Sequence, residues 1–207
     1  GFATLFSQNF TTATNAYNVA VGEQAGLNIT TGVQNVLIGA LAGDALTDAD
    51  FNIAIGHTAL GLDTLGSRNI AIGHSALDAQ NFTTATNSYN VAVGHAAGTG
   101  VTTGVRNSML GGLALQSDTL GSNSVAVGYA ALNNQNLTTA TDVYNTAVGS
   151  LAGLSVTTGT LNTLIGALSG DALTTGEGNV ALGYLALSTE TVGDSSVAIG
   201  RSALANQ

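Results

Sequence analysis

The sequence predicts an all-β protein whose chain winds into a parallel β-solenoid, or β-roll, with two short strands in each coil. The pentapeptide Asn-Val-Ala-Val-Gly at residues 18–22 occurs in eleven related copies, and the glycines that close them are 17 or 21 residues apart. Such fixed spacing indicates a repeat architecture in which each copy contacts its neighbours. The copies fill residues 1–207, so we expect one repeat domain of about eleven coils, a segment of a longer fibre.

An Asn opens most copies of the pentapeptide, and a Gly closes all of them. The pairs are Asn18 and Gly22, Asn35 and Gly39, Asn52 and Gly56, Asn69 and Gly73, Asn90 and Gly94, Asn107 and Gly111, Asn145 and Gly149, Asn162 and Gly166, and Asn179 and Gly183, while two copies begin with Ser and end at Gly128 and Gly200. Coils stacked at the ~4.8 Å spacing of β-strands would align these Asn side chains into an amide ladder, in a rod on the order of 50 Å long.

Both faces of the pentapeptide strand are apolar. Its second and fourth residues, such as Ile53 and Ile55, are mostly aliphatic or β-branched and lie on one face. The middle residue, such as Ala54, is Ala, Leu or Met in every copy. A strand that is apolar on both faces is typical of one covered on both. The coil can cover one face from within, and we expect the Ala face to need another chain, which predicts a homo-oligomer.

A second segment follows each glycine, as in residues 56–60. Three residues past the glycine stands Ala in ten of the eleven copies, and the next residue is Gly or Leu. We interpret this segment as a second, inward-facing strand with room for small residues only. Gly, Asn or Asp then stands three residues before almost every pentapeptide, which predicts a turn with positive φ at that place.

Charged residues are scarce and mostly acidic. They make up 7% of the chain, and twelve Asp or Glu stand against three Arg, giving a net charge of −9. Nucleic-acid binding and polybasic membrane attachment both need clustered Lys and Arg. We therefore expect no nucleic-acid partner and no membrane insertion by this chain. The absence of Cys excludes disulfides and thiolate metal ligands.

No residue pattern points to catalysis. The sequence has no Gly-x-Ser-x-Gly, phosphate-loop or His-Glu-x-x-His motif, and no Asp-x-Asp-x-Asp-Gly calcium loop. We therefore expect no enzyme activity, no cofactor and no metal. The acidic residues are interpreted as solvated charges in turns, among them Asp44, Asp48, Asp50, Asp63 and Asp171.

Two groups of residues are candidates for surface contact. His57, His74 and His95 share the position after the glycine in successive coils, where stacked imidazoles could bind a metal or form a solvated ladder. The 21-residue coils carry a lead-in, first seen at residues 8–18, in which four extra residues could project with aromatic side chains, namely Phe10, Tyr17, Phe82, Tyr89 and Tyr144. Tyr beside Asn and Thr suits contact with a glycan or a protein. Alternatively, these rings pack the loop onto its own coil.

The sequence Ser-Val-Ala-Ile-Gly at residues 196–200, with a near copy at residues 124–128, resembles the signature of head repeats in trimeric autotransporter (YadA-like) adhesins. The copy at residues 145–149 and the Thr-Thr-Gly turns are similar to repeats of phage tail fibres. The resemblance covers essentially the whole chain, although these coils are longer than those of the adhesin heads. It implies a left-handed parallel β-roll, a homotrimer with the pentapeptide strands around the threefold axis, and a location outside the cell, at the cell surface or in a virion fibre.

The resemblance implies a structural or adhesive rod of an extracellular trimeric fibre, either a phage tail fibre or a bacterial adhesin head, that attaches to a host or a surface. The alternative is a self-assembling extracellular filament or matrix subunit. The Thr pairs, such as Thr30 and Thr31, suggest an ice-binding solenoid as a third function. The expected partners are other copies of the chain, including copies stacked end to end, and a host glycan or surface protein.

Overall fold

The computed structural model describes residues 1–206 as an all-β solenoid of about eleven coils, with no helix in this range. In chain order the strands are β1 (Val19–Val21), β2 (Val36–Ile38), β3 (Ile53–Ile55), β4 (Gly66–Ser67), β5 (Ile70–Ile72), β6 (Thr86–Asn87), β7 (Val91–Val93), β8 (Ser108–Leu110), β9 (Gly121–Ser122), β10 (Val125–Val127), β11 (Thr141–Asp142), β12 (Thr146–Val148), β13 (Thr163–Ile165), β14 (Val180–Leu182) and β15 (Val197–Ile199).

Eleven of these strands form one parallel sheet that runs the length of the rod. Its order is β1-β2-β3-β5-β7-β8-β10-β12-β13-β14-β15, and β4 with β6 and β9 with β11 make two small parallel sheets. Equivalent residues of successive pentapeptides pair directly, so Ala54 lies between Leu37 and Ala71. The predicted parallel β-solenoid with one pentapeptide strand per coil is confirmed.

The middle residue of each long strand faces the interior, and its neighbours face outward. Ala54 and Leu164 are fully buried, whereas the outward Leu182 keeps an exposed fraction of 42%. The expectation that the Ala face would need another chain is therefore wrong. The coil itself closes that face, since Leu side chains of the opposite wall, such as Leu60, share one core with the Ala residues. The uncovered face is the one with Val and Ile.

Large and small residues alternate across this core. Leu37 takes the middle strand position where most coils have Ala, and it lies between Gly26 of the preceding coil and Gly43 of its own. A Cβ atom on either glycine would come within 2.8 Å of the Leu37 side chain. Glycine at these two places therefore makes room for the larger strand residue, as dense packing of the interior requires.

The segment after each glycine forms two successive turns, so the second strand predicted there is wrong. In the third coil the Ala59 N–H donates to the Gly56 carbonyl at 3.4 Å, and the Gly61 N–H donates to the Thr58 carbonyl at 3.2 Å. Thr58 and Leu60 have φ values of 52° and 54°. A positive φ at the third residue and a bond from the fourth N–H to the first carbonyl are features of type II turns. The second strands that do occur, β4, β6, β9 and β11, lie before the pentapeptide.

Glycines are required where neighbouring coils approach closely. Gly56 has a φ of 139°, and a Cβ there would strike the Gly73 carbonyl of the next coil. Gly104, three residues before a pentapeptide, has no left-handed φ, so the positive φ predicted at this place is wrong. A Cβ on Gly104 would instead strike the Gly121 carbonyl. The positive φ falls two residues later, as at Arg106 with 58°.

Candidate interaction face

The outward residues of the eleven long strands form a continuous apolar surface, here called the strand face. It consists of the first and third residue of each strand, and these are Val, Ile or Leu except at Ser108, Thr146 and Thr163. Their backbone groups are bonded within the sheet, so side chains alone decide the chemistry of this face. A line of aliphatic side chains thus runs along the rod, on the order of 50 Å at ~4.8 Å per coil.

A leading column borders the strand face on one side and consists of the residue immediately before each pentapeptide. Its members are Tyr17, Gln34, Phe51, Arg68, Tyr89, Arg106, Asn123, Tyr144, Leu161, Gly178 and Ser195, and all have φ between 49° and 67°. The Arg68 guanidinium carbon lies 4.5 Å from the ring centroid of Phe51 and 6.0 Å from that of Tyr89. Three successive coils therefore form a ring–guanidinium–ring stack held by cation–π contacts.

A trailing column borders the strand face on the other side and consists of the residue after each closing glycine. Its members are Glu23, Ala40, His57, His74, His95, Gly112, Tyr129, Ser150, Ala167, Tyr184 and Arg201. The three imidazoles are exposed and stack as their spacing predicts, with centroids 5.3 and 5.4 Å apart and planes inclined by 14° and 16°. Parallel rings of this kind present their faces to each other and leave their nitrogens at the ring edge.

The strand face and its two columns collect most of the exposed apolar residues and all of the basic ones. Sixteen of the twenty large hydrophobic side chains exposed in the described chain lie there. Arg68, Arg106 and Arg201 and the three histidines are all in the two columns, whereas Glu23 is the only one of the twelve acidic residues in them. One side of the rod is therefore apolar with a basic rim, and every charged side chain on the remainder of the surface is acidic.

Buried Asn side chains hold the strand face in place from beneath. Asn107 donates from Nδ2 to the Gly121 carbonyl at 2.8 Å, and its Oδ1 accepts the Ser124 N–H at 2.9 Å. The predicted Asn ladder is confirmed in its alignment, but most of its bonds run from amide to backbone. Direct amide contacts also occur, as from Asn69 Nδ2 to Asn52 Oδ1 at 3.2 Å. The ladder fixes each strand to the next coil.

In each of the two later 21-residue coils, the Gln of the lead-in donates a hydrogen bond to a buried carboxylate of the preceding coil. Gln135 Nε2 donates to Asp118 Oδ2 at 2.6 Å, and the Gly121 N–H donates to Asp118 Oδ1 at 3.1 Å. Asn145 Nδ2 then donates to Gln135 Oε1 at 2.9 Å. Desolvation raises the pKa of Asp118, and the bonds from Gln135 and from backbone N–H groups oppose that rise.

The same arrangement recurs one block earlier in the chain. Gln80 Nε2 donates to Asp63 Oδ2 at 2.6 Å, and Asn90 Nδ2 donates to Gln80 Oε1 at 2.8 Å. These four network residues, Asp63, Gln80, Asp118 and Gln135, were missed as a group in the sequence. The signal that finds them is an Asp 17 residues before the Gln in each of the two later lead-ins.

The acidic residues differ in their surroundings, and the interpretation of all of them as solvated turn charges is wrong. Asp63 is fully buried, whereas Asp48 is exposed. Asp44 and Asp171 are half-buried, and desolvation raises the pKa of both carboxyls. Asp171 Oδ1 is buried without a hydrogen-bond partner.

The long coils divide their aromatic residues between the interior and the surface. Phe82 is 6% exposed and packs over Gly66, where a Cβ would lie 2.9 Å from the ring. Its prediction as a surface contact is therefore wrong, and Phe10 is also partly buried. The tyrosines are exposed, with fractions of 68% for Tyr17, 52% for Tyr89 and 53% for Tyr144.

Only part of each extra loop projects from the rod. Residues 83–85 and 138–140 are exposed, and both read Thr-Thr-Ala. The next Thr folds each tip back, since Thr86 Oγ1 donates to the Thr84 carbonyl at 2.9 Å and Thr141 Oγ1 donates to the Thr139 carbonyl at 3.0 Å. The same loop begins the chain, where Thr14 Oγ1 donates to the Thr12 carbonyl at 3.1 Å.

The Thr pairs do not form a regular exposed array. The first Thr of a pair bonds to the next coil, as when Thr102 Oγ1 donates to the Thr119 carbonyl at 2.9 Å. The second Thr is exposed, but Asp48, Leu65, Leu120 and Val192 interrupt its column. An ice-binding surface would need free hydroxyls at consecutive coils, and this arrangement does not favour it.

Within residues 1–206 the structure has no pocket, and no three His, Cys, Asp or Glu side chains are grouped so as to hold a metal ion. In the same residues no helix could cross a membrane. Comparison of the chain with protein-family models, with curated proteins and with solved structures gives no match.

Proposed function

We propose that this chain is a structural and adhesive rod of an extracellular fibre, assembled with two further copies through the strand face. The observation that carries the proposal is the concentration of exposed apolar side chains on one side of the rod. Contiguous apolar surface on this scale is uncommon in soluble monomers and is typical of a protein–protein interface. An identical chain is the partner whose coils repeat at the same spacing along the whole face.

A homotrimer with left-handed coils is the arrangement that the resemblance to adhesin heads favours. Strand faces gathered around a common axis would bury the Val and Ile columns and leave the acidic surface in water. The Asn ladder keeps the strands in register, which supports a rigid spacer whose length follows from the number of coils. A phage tail fibre and a bacterial surface adhesin both use such a rod.

Attachment to a host is assigned to the Thr-Thr-Ala tips and to the tyrosines near them. Tyr17 and Tyr144 are exposed and follow two of these tips by four residues in the chain, and rings near hydroxyls suit the contact with a glycan. We expect binding on a glycan array that is lost in the double variant Tyr17→Ala, Tyr144→Ala. Binding that is equal in this variant and in the wild type would reject these tyrosines as contacts.

Light scattering at two protein concentrations tests the assembly. We expect a constant mass of three chains of 20.4 kDa each. A mass that grows with concentration would instead support the self-assembling filament, in which coils stack end to end. A mass of one chain at both concentrations would overturn the proposal. The ice-binding function ranks third, and unchanged ice growth in the presence of the protein would reject it.

A further inference from the structure

The inference rests on the proposed parallel assembly and concerns the two columns that flank the strand face. A rotation axis parallel to the rod keeps every coil at its own height. It therefore brings the leading column of one copy against the trailing column of the next, whether two or three copies surround the axis. The partner of each residue at this seam follows from symmetry alone.

The histidine stack and the ring–guanidinium–ring stack occupy the same coils. His57, His74 and His95 belong to the third, fourth and fifth pentapeptides, and Phe51, Arg68 and Tyr89 precede those same pentapeptides. A shift of one coil along the axis would still leave the two stacks overlapping, because Arg106 continues the leading column. The basic residues of one copy thus face the imidazoles of the next.

We propose that the His57–His74–His95 stack of one copy packs against the Phe51–Arg68–Tyr89 stack of its neighbour, and that protonation of the histidines loosens the assembly. A neutral imidazole presents an unprotonated nitrogen at its ring edge, and this nitrogen can accept a hydrogen bond from the Arg68 guanidinium of the neighbour. Imidazolium ions would place three positive charges beside a guanidinium. Histidine is the side chain whose charge ordinarily changes between about pH 5 and 8, so the test compares two pH values in this range.

The carboxylates nearest the two stacks are few. Asp78 interacts with His57 and His74, and desolvation raises the pKa of its carboxyl while these two histidines oppose that rise. On the opposite side, Asp142 lies 3.7 Å from Arg106, and Asp50 accepts the Val33 N–H. Glu23 and Arg201 stand at the two ends of the trailing column and are remote from the stack.

Sedimentation velocity at pH 7.5 and pH 5.5 tests the inference on the whole chain. For the wild type we expect an assembled species at pH 7.5 and a dissociation constant at least about tenfold higher at pH 5.5, as like charges at an interface predict. The triple variant His57→Gln, His74→Gln, His95→Gln keeps three polar planar groups without the titration. We expect it to assemble at both pH values with less than about a twofold difference.

The matched control is Tyr129→Gln, Tyr184→Gln, which changes the same column outside the histidine stack. This variant should keep the wild-type pH dependence. Wild-type assembly that is equal at both pH values, or acid dissociation that persists in the triple variant, would overturn the inference and leave the assembly itself intact. A single chain at pH 7.5 would overturn the proposed assembly. Circular dichroism should show the same β signal at both pH values, and its loss at pH 5.5 would attribute the dissociation to unfolding and overturn the inference.

Discussion

The two sides of one strand differ in how completely their residues are packed. In β13 the middle residue Leu164 is fully buried, and a Cβ on Gly153 or Gly170 would come within 2.8 Å of its side chain. Ile165, the next residue, points outward and keeps 37% of its surface exposed. The inner side is specific for the size of each residue, and the outer side is a row of aliphatic groups interrupted at Ser108, Thr146 and Thr163.

This difference indicates that the two sides serve separate purposes. The inner side, with the Asn ladder and the glycines, determines how one chain coils. The outer side contributes less to the coil, because within residues 1–206 its side chains are only partly covered, and it remains available for another copy. Changes to the inner side should therefore alter folding, and changes to the outer side should alter assembly.

The largest expected effect comes from a closing glycine. In Gly56→Ala the alanine must adopt a φ of 139°, which is unfavourable for a residue with a side chain, and its Cβ clashes with the Gly73 carbonyl. We expect a loss of about 2–6 kcal/mol in the free energy of unfolding, from backbone strain and overpacking together. Chemical denaturation measures it. Gly112→Ala is the control, because Gly112 has no left-handed φ and its nearest neighbour would be 3.7 Å away. Equal stability of the two variants would contradict this explanation of the glycines.

Two adjacent residues of β13 separate folding from assembly. Leu164→Ala should lower the free energy of unfolding by about 2–5 kcal/mol, because the glycines around it cannot fill the cavity. Ile165→Ala should leave the stability of the single chain within about 1 kcal/mol and weaken self-association instead. Denaturation and light scattering on both variants check this pair. Equal loss of stability in both would show that the two sides of the strand are not distinct.

The buried carboxylate under a long coil should be sensitive to a change of one atom. The Asp118 carboxylate accepts hydrogen bonds from Gln135 Nε2 and from the Gly121 N–H. Asp118→Asn replaces one carboxylate oxygen with an NH₂ group, which is a donor. We expect a loss of about 1–3 kcal/mol in the free energy of unfolding, because donors then face each other in the interior. The exposed Asp48 bonds to the Thr31 hydroxyl, and Asp48→Asn should change stability by less than about 0.5 kcal/mol.

Acid should not unfold the single chain. The pKa shifts resolved for Asp44, Asp78, Asp118 and Asp171 are all upward, with desolvation as the largest cause. The folded state therefore binds protons more readily than the unfolded state. Its stability should rise as the pH falls through the raised values, and this gain is complete below the ordinary carboxyl pKa of about 3.9. Melting of a monomeric variant should occur at an equal or higher temperature at pH 4.5 than at pH 7, and a lower temperature would contradict the sign.

The sequence was sufficient for the period, the strands and the Asn ladder, because each depends on residues that recur at fixed spacing. It was insufficient to say which side of the strand faces the interior, since the residues on both sides are apolar and alternate with the same period of two. Leu37 between Gly26 and Gly43 held that information, because only an inward side chain needs glycines on both sides. Positive φ at Thr58 and Leu60 opposes the intrinsic preference of these residues, and contacts between coils impose it.

The candidate site was predicted in part. The histidine stack and the exposed tyrosines follow from their positions in the repeat, but Phe82 is buried because Gly66 leaves room for its ring. Arg68 was not expected beside Phe51 and Tyr89, because the leading column becomes visible only when coils are stacked. Asp63 was assigned to the solvent because a lone carboxylate gives no sign of a Gln 17 residues later.

The central claim, that the strand face joins copies of this chain, is tested most directly by placing charges on it. Light scattering should compare the wild type with Ile55→Lys, Ile72→Lys, and with Leu62→Lys as a control at an exposed apolar residue outside the strand face and its columns. We predict the mass of three chains for the wild type and for the control, and the mass of one chain of 20.4 kDa for the double variant. A wild type of one chain, or a double variant that assembles as the wild type does, would contradict the claim.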